Sequence, residues 1–140
     1  MSTYRMQHRA PGRRNGAPLS DLTRGEIYPC DVYSQMADYA DGREKHDLES
    51  MAAIRAARCQ PTKMVWIYRA VPKSVAADAK RAGAVPIYAG HWIAVSKTYA
   101  KQHAFDLEGS GKDGVVVSMK VPAGAVFTDG NSLNEWGYDP

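Results

Sequence analysis

The chain has only two cysteines in 140 residues, Cys30 and Cys59, far apart and without metal-ligand spacing. That leaves no disulfide framework, and two reduced thiols are expected in preference to a lone disulfide. No apolar run approaches the roughly 20 residues of a membrane-spanning helix. The N-terminus lacks the apolar stretch of a secretory signal, so the expectation is a protein that stays in the cytoplasm and has no membrane partner. His8, His46, His91 and His103 supply no ligand pair at helical spacing, so no zinc site is expected. No Gly-x-Ser-x-Gly turn presents a hydrolase serine. Ser96, His103 and Asp106 lie too close along one expected helix to converge as a triad. There is no internal repeat and no composition break.

What remains is a chain with 44% hydrophobic and 24% charged residues, the balance of one globular domain with a modest core spanning residues 1–140. The net charge of +3 is uneven. Residues 1–25 carry Arg5, Arg9, Arg13, Arg14 and Arg24 against Asp21 alone, net +4, which leaves −1 for the rest. This basic, loop-rich arm reads as a solvated and partly mobile segment, with an anionic or nucleic-acid partner as the other option. Helices are expected near Asp31–Tyr39, over Glu44–Arg58 with Leu48, Met51, Ala52 and Cys59 inward, over Ser74–Arg81 and over Lys97–Phe105. Strands are expected at Lys63–Val71, Ile87–Ser96 with a break at Gly90, Val115–Val121 and Leu133–Tyr138. Strand Lys63–Val71 is apolar on both faces and reads as central. Short irregular connections between strands predict an α+β fold with antiparallel pairing.

Three residues carry possible chemistry. Arg69 shares a strand face with Val65 and Ile67, so it points inward and needs an anion; an ion pair with Glu135 would be a purely structural answer. Ser96 ends a strand and precedes a helix, where its hydroxyl could simply cap that helix. Glu135 sits among Leu133, Trp136 and Tyr138, either exposed on an edge or aimed into a cleft. Trp136 and Tyr138 themselves read as core.

In sequence order, the segments are Tyr68-Arg69-Ala70-Val71-Pro72, then Gly90-His91-Trp92-Ile93-Ala94-Val95-Ser96-Lys97-Thr98-Tyr99-Ala100-Lys101-Gln102-His103. The third runs from Val121-Pro122-Ala123 to Phe127-Thr128-Asp129-Gly130-Asn131-Ser132-Leu133-Asn134-Glu135-Trp136-Gly137-Tyr138-Asp139. Together they resemble the Arg-Ser-Glu class of ADP-ribosyltransferases, in its small stand-alone bacteriophage and prophage form. The match covers roughly the C-terminal half, and its order and long last segment are its specific part. The resemblance implies a split β-sandwich of two small, largely antiparallel sheets with flanking helices around a cleft for NAD. It implies an NAD-dependent ADP-ribosyltransferase, a phage-encoded effector or anti-defence protein that modifies a host protein or nucleic acid in the bacterial cytoplasm, with NAD as co-substrate. Arg69, Ser96 and Glu135 take the catalytic roles. Arg69, Ala70 through its backbone, Trp92, Ser96 and Tyr99 take the NAD-binding roles. The alternatives are an NAD glycohydrolase and an inactive binding module of the same fold. Ala94, Leu133 and His91 depart from the family pattern, and residues 74–86 look like an insertion. With Leu133 two residues before Glu135, near the incoming nucleophile, a free arginine is not expected as acceptor.

Overall fold

The computed structural model describes residues 10–40 and 42–140. Its strands are β1 (Ala17–Pro18), β2 (Met64–Val71), β3 (Trp92–Ile93), β4 (Val115–Pro122), β5 (Val126–Thr128) and β6 (Trp136–Tyr138). Its α-helices are α1 (Lys45–Ala57), α2 (Lys73–Arg81) and α3 (Lys97–Ala104). Two small antiparallel sheets result, so the α+β class holds. One has the order β1-β5-β6-β3, and the other is the ribbon β2-β4. The sheets meet at one bridge, where Tyr68 and Ala94 exchange backbone hydrogen bonds of 2.9 and 2.8 Å. No other bridged residue pair joins the two sheets among the described residues.

Strand β2 is therefore not central, as its two apolar faces suggested. It pairs along its length only with β4, from Met64↔Pro122 to Val71↔Val115. Ile67 and Val71 go inward and are fully buried, while Met64 and Trp66 stay half exposed. Lys120 of β4 lies over the Trp66 ring, its stem shielding part of that surface.

The inward face of α1 differs from its apolar pattern. Asp47, Ser50, Met51, Ile54 and Ala57 are buried at helical spacing, whereas Leu48 is exposed and Ala52 faces out with it. Two polar residues on that face have partners elsewhere in the fold, which rotates the helix away from its most apolar stripe. The Asp31–Tyr39 segment forms two 3₁₀ turns, Cys30–Tyr33 and Met36–Asp38, rather than one helix capped by Asp31. Of the expected strand Ile87–Ser96, only Trp92–Ile93 pairs as a ladder. The preceding Tyr88–His91 segment folds into a turn, with the His91 amide bonded to the Tyr88 carbonyl at 3.1 Å. The last strand is shorter than expected because Leu133 and Asn134 form a turn before β6.

From Ala10 onward the basic arm is built into the domain. Leu19 and Leu22 are fully buried, and Ala17 pairs with Thr128. Arg13 binds the Asp139 carboxylate at 3.4 Å, and Arg24 donates to the Arg13 carbonyl at 2.9 Å. Both guanidinium groups lie over Phe127. The arginines Arg5 and Arg9 fall outside the described residues. The core gathers Leu22, Val32, Ile54, Ile67, Val126 and Trp136, with the Trp136 indole donating to the Leu133 carbonyl at 2.8 Å.

Candidate active site

Glu135 stands just before β6. The ladder β3–β6 pairs Ile93 with Trp136 and Trp92 with Gly137, so one further register step sets Glu135 across from Ala94. Ala94 in turn faces Tyr68 on its other side. The approach to Glu135 is a chain of short polar turns. The Asp129 carboxylate accepts from Asn131 N–H at 3.0 Å, and the Ser132 hydroxyl accepts from Asn134 N–H at 3.0 Å. Such side-chain-to-backbone bonds let Asx and Ser residues fix turns. Asn134 is then held in the interior. Its amide donates to Asp47 Oδ1 at 2.7 Å, and its Oδ1 accepts from the Ser50 hydroxyl at 2.7 Å. These are the polar residues that turn α1 inward, and they tie the residue before Glu135 to the core.

Glu135 is half-buried, and its Oε2 accepts a 2.6 Å hydrogen bond from the Tyr99 hydroxyl. Burial, then the Glu135 carboxylate, push the Tyr99 phenol well above its ordinary value, so it remains a donor. Its ring also contacts those of His46 and His103, at centroid distances of 5.6 and 4.6 Å.

Ser96 is the N-cap of α3, its Oγ accepting from Tyr99 N–H at 3.0 Å. The capping option is thus realised. The same hydroxyl donates to Glu49 Oε1 at 2.8 Å. Glu49 lies on the outward side of α1 and also accepts from Thr98 N–H at 3.1 Å and Thr98 Oγ1 at 2.8 Å. Desolvation pushes its pKa upward, but the Thr98 amide, the Ser96 and Thr98 hydroxyls and Lys45 outweigh it, and the carboxyl ends below its usual range. No motif or periodicity marked Glu49, which lies off the buried stripe of its helix.

Arg69 is not joined to either residue. Its guanidinium is half-buried and among the described residues reaches only the Pro86 carbonyl, at 3.5 Å. Among the described residues no carboxylate lies within ion-pair distance of it, so the structural pair with Glu135 is not formed. Five donors with one long contact leave a cation in want of an anion. Burial lowers its pKa, and burial followed by the Arg69 charge lowers that of nearby His91. Ala70 follows Arg69. Tyr68 turns its amide and carbonyl to Ala94, away from β4, and strand alternation sends those of Ala70 to the same edge. Trp92 is half-buried on β3, paired with Gly137.

Leu133 is 1% exposed and sits in the core. It cannot stand beside an incoming nucleophile, so it gives no ground for excluding arginine as the acceptor. Trp136 is core as expected. The run Gly109-Ser110-Gly111-Lys112-Asp113-Gly114 spells a dinucleotide glycine loop. It connects α3 to β4, however, and opens no helix whose N-terminus could face a phosphate. Surface grooves of about 490 Å³ between α2 and β4 and about 450 Å³ beside Thr98 and Phe105 contain neither Arg69 nor Glu135. No cluster of metal-ligating side chains occurs among the described residues. None of their helices is long and apolar enough to cross a membrane. Searches against protein-family models, curated proteins and solved structures find no match for the chain.

Proposed function

We propose that this chain is an NAD-dependent ADP-ribosyltransferase of the Arg-Ser-Glu class, a phage-type effector modifying a bacterial host macromolecule. The observation that carries the reading is the half-buried Glu135 carboxylate, fixed by Tyr99 at 2.6 Å and in register with Ala94, the residue that bridges the two sheets. The inward, anion-less Arg69 and the outward backbone edge of Ala70 support it. Two antiparallel sheets joined at one bridge are compatible with a split sandwich around NAD.

In this reading Arg69 holds a phosphate or ribose oxygen of the substrate NAD, as a planar fork suits. The Ala70 backbone holds the nicotinamide amide, with Trp92 beside it. The bond between nicotinamide and the ribose anomeric carbon breaks, and nicotinamide leaves with the electron pair. Positive charge grows on the sugar, as in glycoside hydrolysis. The Glu135 carboxylate bonds the ribose 2′-hydroxyl and stabilises that charge, a stabilisation realised in the transition state. The acceptor nucleophile then bonds the anomeric carbon and loses its proton to solvent or to Glu135.

The test is incubation of bacterial lysate with the protein and NAD labelled in its ADP-ribose part. Label on a protein or RNA band supports the transferase. Nicotinamide release with all label in free ADP-ribose would instead identify an NAD glycohydrolase. Neither release nor label would leave an inactive binding module.

A further inference from the structure

We infer that Tyr99 is the residue that positions the Glu135 carboxylate, and that Ser96, which the resemblance places in the catalytic set, is kept from that task by Glu49. A serine hydroxyl has one proton to donate. Ser96 gives it to Glu49 Oε1 at 2.8 Å, and its own Oγ accepts from Tyr99 N–H at 3.0 Å. Ser96 is 1% exposed, so solvent offers no alternative arrangement. Glu49 is itself fixed by two further donors from Thr98. A serine so engaged has no hydrogen left for Glu135.

Tyr99 has one. Its 2.6 Å bond to Glu135 Oε2 has the length of a hydroxyl donating to a charged carboxylate. A continuous path of bonds leads there: Glu49 holds Ser96, Ser96 caps α3, the cap fixes Tyr99 in the first turn, and Tyr99 holds Glu135. Contacts with His46 and His103 hold the ring in place. Tyr99 is thereby a positioning residue for the reacting carboxylate rather than a stacking surface for nicotinamide, and Glu49 is a positioning residue one step further back. The assignment rests on the proposed role of Glu135 for its effect on rate, but its geometric part stands without it.

The experiment has one arm for each part. In the full chain carrying ¹³Cζ-labelled tyrosine, the Tyr99 signal at neutral pH reports what its hydroxyl bonds to. Glu135→Gln should move that signal and leave the other resolved tyrosines in place. A Tyr99 signal unmoved by Glu135→Gln would overturn the inference, whether or not the protein turns over NAD. In the second arm, Tyr99→Phe should lower kcat for nicotinamide release about tenfold while KM for NAD stays within about twofold, since the contact acts on the reacting carboxylate and not on NAD capture. An unchanged kcat, or a raised KM with kcat intact, would return Tyr99 to a binding or purely structural role. Wild-type protein that releases no nicotinamide would refute the proposed function alone. Should Tyr99→Phe not fold, the spectroscopic arm decides by itself.

Discussion

Replacing Asn134 by alanine removes the link between α1 and the segment that carries Glu135. Two buried hydrogen bonds vanish, to the Asp47 carboxylate and from the Ser50 hydroxyl, each 2.7 Å long. Asp47 is 5% exposed and among the described residues keeps the longer His46 contact at 3.4 Å. A bond to a charged group is worth about 1.5–3 kcal/mol and a neutral one about 1. The expected loss is about 3 kcal/mol, and for a domain of this size that lowers Tm by about 10 °C. Differential scanning calorimetry of Asn134→Ala checks it. Asn134→Asp should cost more at pH 7, because it sets two carboxylates together where an amide donated to one. The gap between the two variants should narrow as the pH falls. A melting temperature within about 2 °C of the parent for Asn134→Ala would refute the reasoning, and the polar face of α1 would then be incidental.

Three further outcomes follow from the same contacts. Because folding lowers the pKa of Glu49, the folded state binds its proton less readily than the unfolded chain. Its contribution is present above pH 4.5 and fades as pH falls, so the Tm deficit of Glu49→Gln should be largest near neutrality and shrink in acid. Leu133→Glu places a carboxylate at a core position of 1% exposure and should abolish the folded circular-dichroism signature at neutral pH, not improve agmatine as an acceptor. Gly137→Ala would drive a Cβ into the Pro11 carbonyl, and should cost about 1–3 kcal/mol in urea titration and speed proteolysis of the N-terminal segment.

Much of the architecture was legible in the sequence, for reasons visible at particular residues. Helices α1, α2 and α3 end within two residues of expectation, since Pro61, Pro72 and Ser96 punctuate them. Strand β4 announces itself by alternation. Strands β1 and β5 were missed because two or three residues carry no period, and only their partners make them strands. The inward face of α1 misled because Asp47 and Ser50 are buried by a partner 84–87 residues away, which no local pattern encodes. For the site, motif order singled out Arg69, Ser96, Tyr99 and Glu135. It was silent about which hydroxyl meets which carboxylate, and so about Glu49, because that depends on where α1 lies across the start of α3.

The central claim is that Glu135 is the carboxylate that stabilises charge developing on the ribose of NAD. The direct measurement is nicotinamide release from NAD by wild-type protein and by Glu135→Gln, alongside calorimetric NAD affinity of both. Expected are release by the wild type, a drop on the order of a hundredfold or more in kcat for Glu135→Gln, and NAD affinity within a few-fold of the parent. Release by Glu135→Gln at the wild-type rate would contradict the claim, and the reacting carboxylate would have to be sought elsewhere.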